Sequence, residues 1–155
     1  MSEERALAAL ADAGIDHRIV RHGRVASLAE AAEARGVAPE QVVKTLVVRR
    51  GEDDYLFVLV PGGRQIAWPR LRALLGVSRL SMPDAATALE VTGYERGTIT
   101  PFGSLHPWPV VADERLEGTI SIGAGGHGVT ALADAADVLR VLSATVADVT
   151  APEST

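Results

Sequence analysis

The chain has 155 residues and no cysteine. That absence removes disulfide scaffolds, cysteine-based zinc sites, thiol nucleophiles and iron–sulfur clusters. Aromatic residues make up 4% of the chain, too few to support a base-stacking platform for single-stranded nucleic acid. Lysine is almost missing as well: Lys44 stands alone among 15 cations, and the other fourteen are arginines. The longest apolar run, Leu56–Val60, falls far short of the roughly 20 residues that span a bilayer. The first residues, Met1–Ile15, carry acids where a signal peptide would be basic. A soluble, cytoplasmic protein with no membrane partner is therefore expected. The histidines His17, His22, His106 and His127 show no metal-ligand spacing, so neither a metal nor a cofactor is expected.

What is present reads as one globular domain over residues 1–150 with a polar tail at 151–155. A chain of this length, 47% hydrophobic and 23% charged, can bury a core unaided. The net charge of −5 is unevenly placed. Residues 1–80 hold twelve basic and ten acidic side chains, whereas residues 81–155 hold three and ten. Two windows lack acids entirely: Gln41–Gly51, with Lys44, Arg49 and Arg50, and Pro61–Ser81, with Arg64, Arg70, Arg72 and Arg79. Screening confines a surface field to about 8–10 Å, so an acidic protein can still offer a basic patch to phosphate. Solvated arginines on ordinary faces would produce the same pattern.

Apolar spacing predicts a helix over Glu3–Ala13, closed by Gly14. Ser27 and Glu30 form a capping-box pattern for a second helix ending at Gly36. Val42–Arg49 and Tyr55–Val60 read as strands joined by a polar hairpin, with a further strand over Gln65–Trp68. Pro69–Leu75 and a segment starting near Asp84 read as short helices. Val110–Ala112, Thr119–Ile122 and Val129–Leu132 read as strands, Ala135–Ser143 as a helix, and Val146–Val149 as a closing strand. This irregular order predicts an α+β domain: a mixed, largely antiparallel curled sheet or β-barrel with helices packed around it.

Gly123–Gly128 matches GxGxxG literally, with Asp148 twenty residues on. A dinucleotide site needs a helix at the last glycine, and Val129–Leu132 reads as a strand. A glycine-rich strand–turn–strand that lets something approach its backbone fits better. Asp113 and Asp134 suit general acid–base chemistry, or equally a turn and a helix cap. Lys44, flanked by branched apolar residues, is either an edge-strand lysine that deters aggregation or an ammonium fixed toward a cleft. Gly97–Gly103, framed by glycine and proline, makes a rigid turn with exposed amides.

Four segments in order resemble the YbaK/ProX family of prolyl-tRNA synthetase-associated editing domains. They are Val42-Val43-Lys44-Thr45-Leu46, then Thr92-Gly93-Tyr94 leading into Gly97–Gly103, then Val110–Asp113, then Ile122–Gly128. The resemblance implies a trans-editing deacylase that hydrolyses the ester of a mischarged tRNA, with proline tRNA and a small wrong amino acid expected. It implies that Lys44 holds the phosphate or ribose of the acceptor end, and that Gly97 and Pro101 frame the loop gripping the aminoacyl group. Thr45, Thr98, Ile99, Thr100, Gly123, Gly125 and Gly128 would line the substrate pocket. Arg49, Arg64, Arg70 and Arg72 would contact the RNA. Partners implied are the aminoacyl-tRNA acceptor end and prolyl-tRNA synthetase. The chain differs from cysteine-removing members at Gly123, at Gly126-His127 and at Ala67. Two other readings stay open: a non-catalytic module that binds the acceptor end or a protein, and a small-molecule esterase.

Overall fold

A computed structural model describes residues 2–153. The elements in chain order are α1 (Ser2–Asp12), β1 (His17–Arg21), α2 (Leu28–Arg35), a 3-10 turn (Pro39–Gln41), β2 (Val43–Gly51), β3 (Asp54–Pro61), β4 (Arg64–Ile66), α3 (Trp68–Leu75) and α4 (Ala85–Thr92). Then come β5 (Val110–Asp113), β6 (Thr119–Gly126), β7 (Val129–Asp134), α5 (Ala135–Val141), β8 (Thr145–Ala147) and β9 (Thr150–Pro152).

The apolar run Leu56–Val60 lies in β3, a central strand buried on both faces. Successive side chains of a strand point to opposite faces. Tyr55, Phe57 and Leu59 therefore join the larger core with Ile120, Ile122, Ala131 and Val138. Leu56, Val58 and Val60 join a smaller core with Leu71 of α3, Val111 and Val149. The sheet is mixed as expected. β2 pairs antiparallel with β3, β5 runs parallel to β3, and β8 parallel to β5. A second sheet has the order β1-β7-β6, all antiparallel, and β4 pairs with β9.

The barrel is not closed. The edge strands of the two larger sheets, β2 and β6, meet at a single isolated bridge, Val42 to Ser121, and splay apart beyond it. That gap positions the candidate site.

The C-terminal end corrects the sequence reading. The closing strand expected over Val146–Val149 is two short strands, β8 and β9, which belong to different sheets. The chain switches sheets because Val149 is buried, its N–H reaching the Asp113 carboxylate at 3.3 Å and its carbonyl accepting from Ala67 N at 2.8 Å. The expected polar tail begins inside β9, where Ala151 and Pro152 pair with Gln65 and Arg64. Ser154 and Thr155 lie outside the described residues. Likewise Trp68, expected to end a strand, opens α3. The helix caps are as expected: Ser27 Oγ accepts from Glu30 N at 3.1 Å, and Gly36 closes α2 in the left-handed region. No described helix is long and apolar enough to cross a membrane.

Candidate functional site

Beyond the Val42–Ser121 bridge, the space between β2 and β6 is a cavity of about 270 Å³. One wall is the free edge of β2, Val42–Val47; the other carries Gly123 of β6. Arg96, Gly97, Ile99, Met82 and Pro83 also line it. An edge strand presents backbone N–H and C=O groups that no neighbour uses. Gly123 matters for its size: a Cβ there would stand 3.0 Å from the Ile99 carbonyl oxygen. Glycine thus lets the loop press directly onto β6, where Gly125 N donates to Thr98 O at 3.1 Å.

The loop is built from inside. Thr98 and Thr100 are buried; Thr98 Oγ1 donates to Glu95 O at 2.8 Å, and Thr100 Oγ1 accepts from Phe102 N at 3.3 Å. Tyr94, fully buried, donates its hydroxyl to Phe102 O at 2.6 Å, and burial pushes its pKa up, which keeps it a donor. Arg5 of α1 lies over the Tyr94 ring at 5.0 Å and donates to Gly93 O and Gly103 O. Arg5 carries no sequence signal, because nothing local distinguishes it from a solvated helix residue.

A second lobe of about 590 Å³ shares Arg35 and Gly97 with the first. Its other walls include His22, Arg24, His127 and Gly128. Gly128 (φ 72°) bonds through its carbonyl to His22 N at 2.9 Å, and a Cβ there would collide with His22 O at 2.2 Å. The His127 ring packs 3.5 Å from where a Gly97 Cβ would stand. Gly97 (φ 91°) is thus a wall common to both lobes.

The site residues expected from sequence divide on this geometry. Lys44, Thr45, Gly97, Ile99 and Gly123 line the first lobe, and Gly97 and Gly128 the second. Gly125 lines neither, its backbone packing against Ser2 and the Tyr94 ring. Pro101, Thr98 and Thr100 also line neither lobe; they shape the loop. Thr45 shares a strand face with Val43 and Val47, and its hydroxyl is buried without a hydrogen-bond partner. Lys44 lines the cleft, and its ammonium is fixed by partners within the chain. Its Nζ donates to Arg64 O at 2.9 Å and to Glu153 Oε1 at 2.7 Å, because β9 carries Glu153 past it.

The four expected RNA-binding arginines separate too. Arg64 and Arg70 hold the C-terminal strand: Arg64 Nε donates to Thr150 Oγ1 at 2.7 Å, and Arg70 Nη1 to Asp148 and to Thr150 O, each at 3.0 Å. Arg49 and Arg72 instead line a groove of about 520 Å³ with Arg50 and Arg79 and no acidic residue. The candidate acids are structural. Asp134 caps α5, and fully buried Asp113 accepts from Arg115 and Val149 N. Asp148, the acid of the GxGxxG reading, pairs with Arg70 and Arg115, and Gly126 leads through a turn into β7 rather than a helix.

Comparison with known proteins shows the family. The family described as the aminoacyl-tRNA editing domain matches residues 22–141, which contain both lobes. The chain belongs to that family. A multifunctional Ser/Thr-tRNA deacylase, ProXp-y, of Escherichia coli (strain K12) is 31% identical over 149 residues, covering 91% of this chain and 88% of the relative. A proline–tRNA ligase of Thermosipho melanesiensis is 32% identical over 102 residues, 66% of this chain but 18% of the ligase. A solved structure described as a candidate trans-editing enzyme for prolyl tRNA synthetase superposes with a TM-score of 0.87 at 27% identity, covering 99% of this chain and 98% of that one. The editing-domain fold is therefore the α+β arrangement described above, with its sheet open at β2 and β6.

Proposed function

We propose that this protein is an aminoacyl-tRNA deacylase that edits in trans, removing a small wrong amino acid from the 3′-terminal adenosine of a tRNA, with proline tRNA as the substrate to try first. The observation that carries this reading is the gap between β2 and β6. It gathers Lys44, Thr45, Gly97, Ile99 and Gly123 around a cavity of about 270 Å³, a size for a small aminoacyl group.

The chemistry needs no protein nucleophile. The ester is already activated, so positioning a water and stabilising the oxyanion suffice. Water adds to the ester carbonyl carbon, and the carbonyl oxygen takes the charge. Collapse breaks the bond to the ribose oxygen, which leaves with one proton of the water, and the amino acid departs as its carboxylate, the other proton passing to solvent. The amides of Gly97 and Ile99 donate to no acceptor among the described residues and are the donors for the oxyanion. The Thr45 hydroxyl, buried without a partner, meets the polar part of the amino acid. Lys44 exchanges Glu153 for the ribose or phosphate of the acceptor end. Pro101 and the buried threonines hold the loop that presents the amides.

The groove with Arg49 and Arg72 lies at the far end of β2, six residues and roughly 20 Å from Val43. It suits the phosphates of the acceptor stem, which an aromatic-poor protein must grip by charge and shape. A cytoplasmic location and an encounter with prolyl-tRNA synthetase belong to the same reading.

The test is deacylation of proline tRNA charged with alanine, serine, threonine or cysteine, using wild type and Lys44→Ala. The expected result is hydrolysis of at least one, lost in the variant while thermal unfolding is unchanged. Wild-type inactivity on the whole panel would overturn the reading. One observation favours a non-catalytic binding module instead: the Lys44 ammonium is already neutralised by Glu153. Tight binding of the same tRNAs without turnover would decide for it.

A further inference from the structure

Arg35 occupies an unusual position. It ends α2, lines both lobes together with Gly97, and is half-buried. Its Nε donates to His22 Nε2 at 3.2 Å, and Nη1 lies 3.5 Å from Ser121 Oγ. No Asp or Glu lines either lobe. His22 supplies no negative charge. Its Nδ1 is 2.8 Å from Gly23 O, an acceptor, so Nδ1 carries the hydrogen and Nε2 receives the Arg35 bond as a neutral ring. A guanidinium has five N–H groups, and at most two are used here.

Withdrawing a cation from water without a counter-ion is expensive. Desolvation holds the Arg35 pKa below its ordinary value, consistent with a charge lacking compensation. The last turn of α2 offers some relief, since a helix C-terminus favours cations, but that field is weak at a partly exposed end. Arg24 lines the same lobe and adds a second positive charge. The contrast with Arg115 is direct: that arginine bonds to two carboxylates, Asp113 and Asp148.

We infer that Arg35 is the anion seat of this cleft, binding through its free N–H groups a phosphodiester of the RNA 3′ end in the second lobe while the ester lies in the first. The inference rests on the deacylase reading for the identity of the ligand. The seat itself follows from the two lobes and their charge. A planar guanidinium offers two parallel donors to a phosphate, which a lysine cannot reproduce. Arg35 then acts as a positioning residue: it fixes where the terminal nucleotide lies and so which carbonyl meets the loop amides. Gly97, between the lobes, leaves room for the ribose to pass from one to the other.

The test separates the seat from the chemistry. Adenosine 5′-monophosphate, adenosine and inorganic phosphate are titrated against wild type, Arg35→Gln and Arg35→Lys, following the Arg35 Nε–H resonance and the binding isotherm. The expected result is that wild type prefers the monophosphate to adenosine by about tenfold or more, as charge-assisted hydrogen bonds provide. Arg35→Gln abolishes that preference and leaves adenosine binding unchanged, and Arg35→Lys retains only part of it. The Nε–H resonance moves with the monophosphate and with phosphate but not with adenosine. This last measurement needs no variant and holds even if Arg35→Gln fails to fold. In the deacylation assay, Arg35→Gln raises KM with little change in kcat and lowers the salt slope by about one. Equal affinity of wild type for the monophosphate and adenosine, or a preference that survives in Arg35→Gln, overturns the inference. If the monophosphate preference is found but no charged tRNA is hydrolysed, the anion seat stands and the deacylase reading falls.

Discussion

Arg64, Arg70 and Arg115 in one group, and Arg35, Arg49 and Arg72 in another, are the same residue in two employments. The first three form a clasp around the C-terminal strand, reaching Thr150, Asp148 and buried Asp113. The second three face space: Arg35 the cleft, Arg49 and Arg72 a groove without acids. Arginines in the clasp have their charge answered from within the chain. Those in the cleft and groove await an answer from outside. Net charge says nothing of this difference, and neither does the count of arginines. What separates the groups is which carboxylates the fold brings near, and for Arg70 that carboxylate is Asp148, 78 positions along the chain.

The largest effect expected of any break in this comparison is at the centre of the clasp. Asp113→Ala leaves the buried Val149 N–H without an acceptor and Arg115 with one carboxylate instead of two. A loss of about 1–3 kcal/mol is expected from the orphaned donor, read as a lower denaturant midpoint with an unchanged slope. An unaltered midpoint would mean that β9 is not held through Asp113. Next comes the groove. Arg49→Ala with Arg72→Ala should leave thermal unfolding where it is and weaken tRNA binding, with the log–log salt slope falling by about two. Arg70→Ala, in the clasp, should do the reverse: a drop in Tm of at most about 2–4 °C and no change in the slope. If the two sets of variants behave alike, the division fails.

The sequence carried the fold class and most elements because these rest on local signals. The run Leu56–Val60, the Ser27 cap and Gly36 closing α2 all act within a few residues. It carried Lys44, Thr45, Gly97 and Gly123 because a family resemblance supplied them. It could not show that Lys44 meets Glu153, 109 positions away, or that Arg5 clamps the loop from α1. Arg35 was equally invisible: in an Ala- and Glu-rich helix it reads as a solvated last-turn cation, and only the splay of β2 from β6 turns it into a cavity wall. The misplaced strand at 146–149 has the same origin. Its apolar character was legible, but the sheet switch at Asp148–Val149 depends on Asp113 and Ala67.

The smallest expected effect concerns acid, and it tests the clasp without touching the groove. Asp148 is held below the usual carboxylate range, first by the hydrogen bond from Arg115, then by the charges of Arg115, Arg70 and Arg64, against some opposing desolvation. A carboxylate whose folded pKa is depressed stabilises the fold above its unfolded pKa, about 3.9, and loses that contribution as pH falls through the lower folded value. Wild type should therefore be more stable than Asp148→Asn at neutral pH, with the gap constant down to about pH 5 and closing below about pH 4. Asp84, depressed by the Thr87 amide it caps, titrates in the same window in both proteins and cancels from the difference. Thermal unfolding of the two across pH 7 to 2.5 measures the gap. A difference that persists unchanged at the acid end would mean that Asp148 acts through shape rather than charge, and that the clasp is not the ionic counterpart of the unanswered arginines.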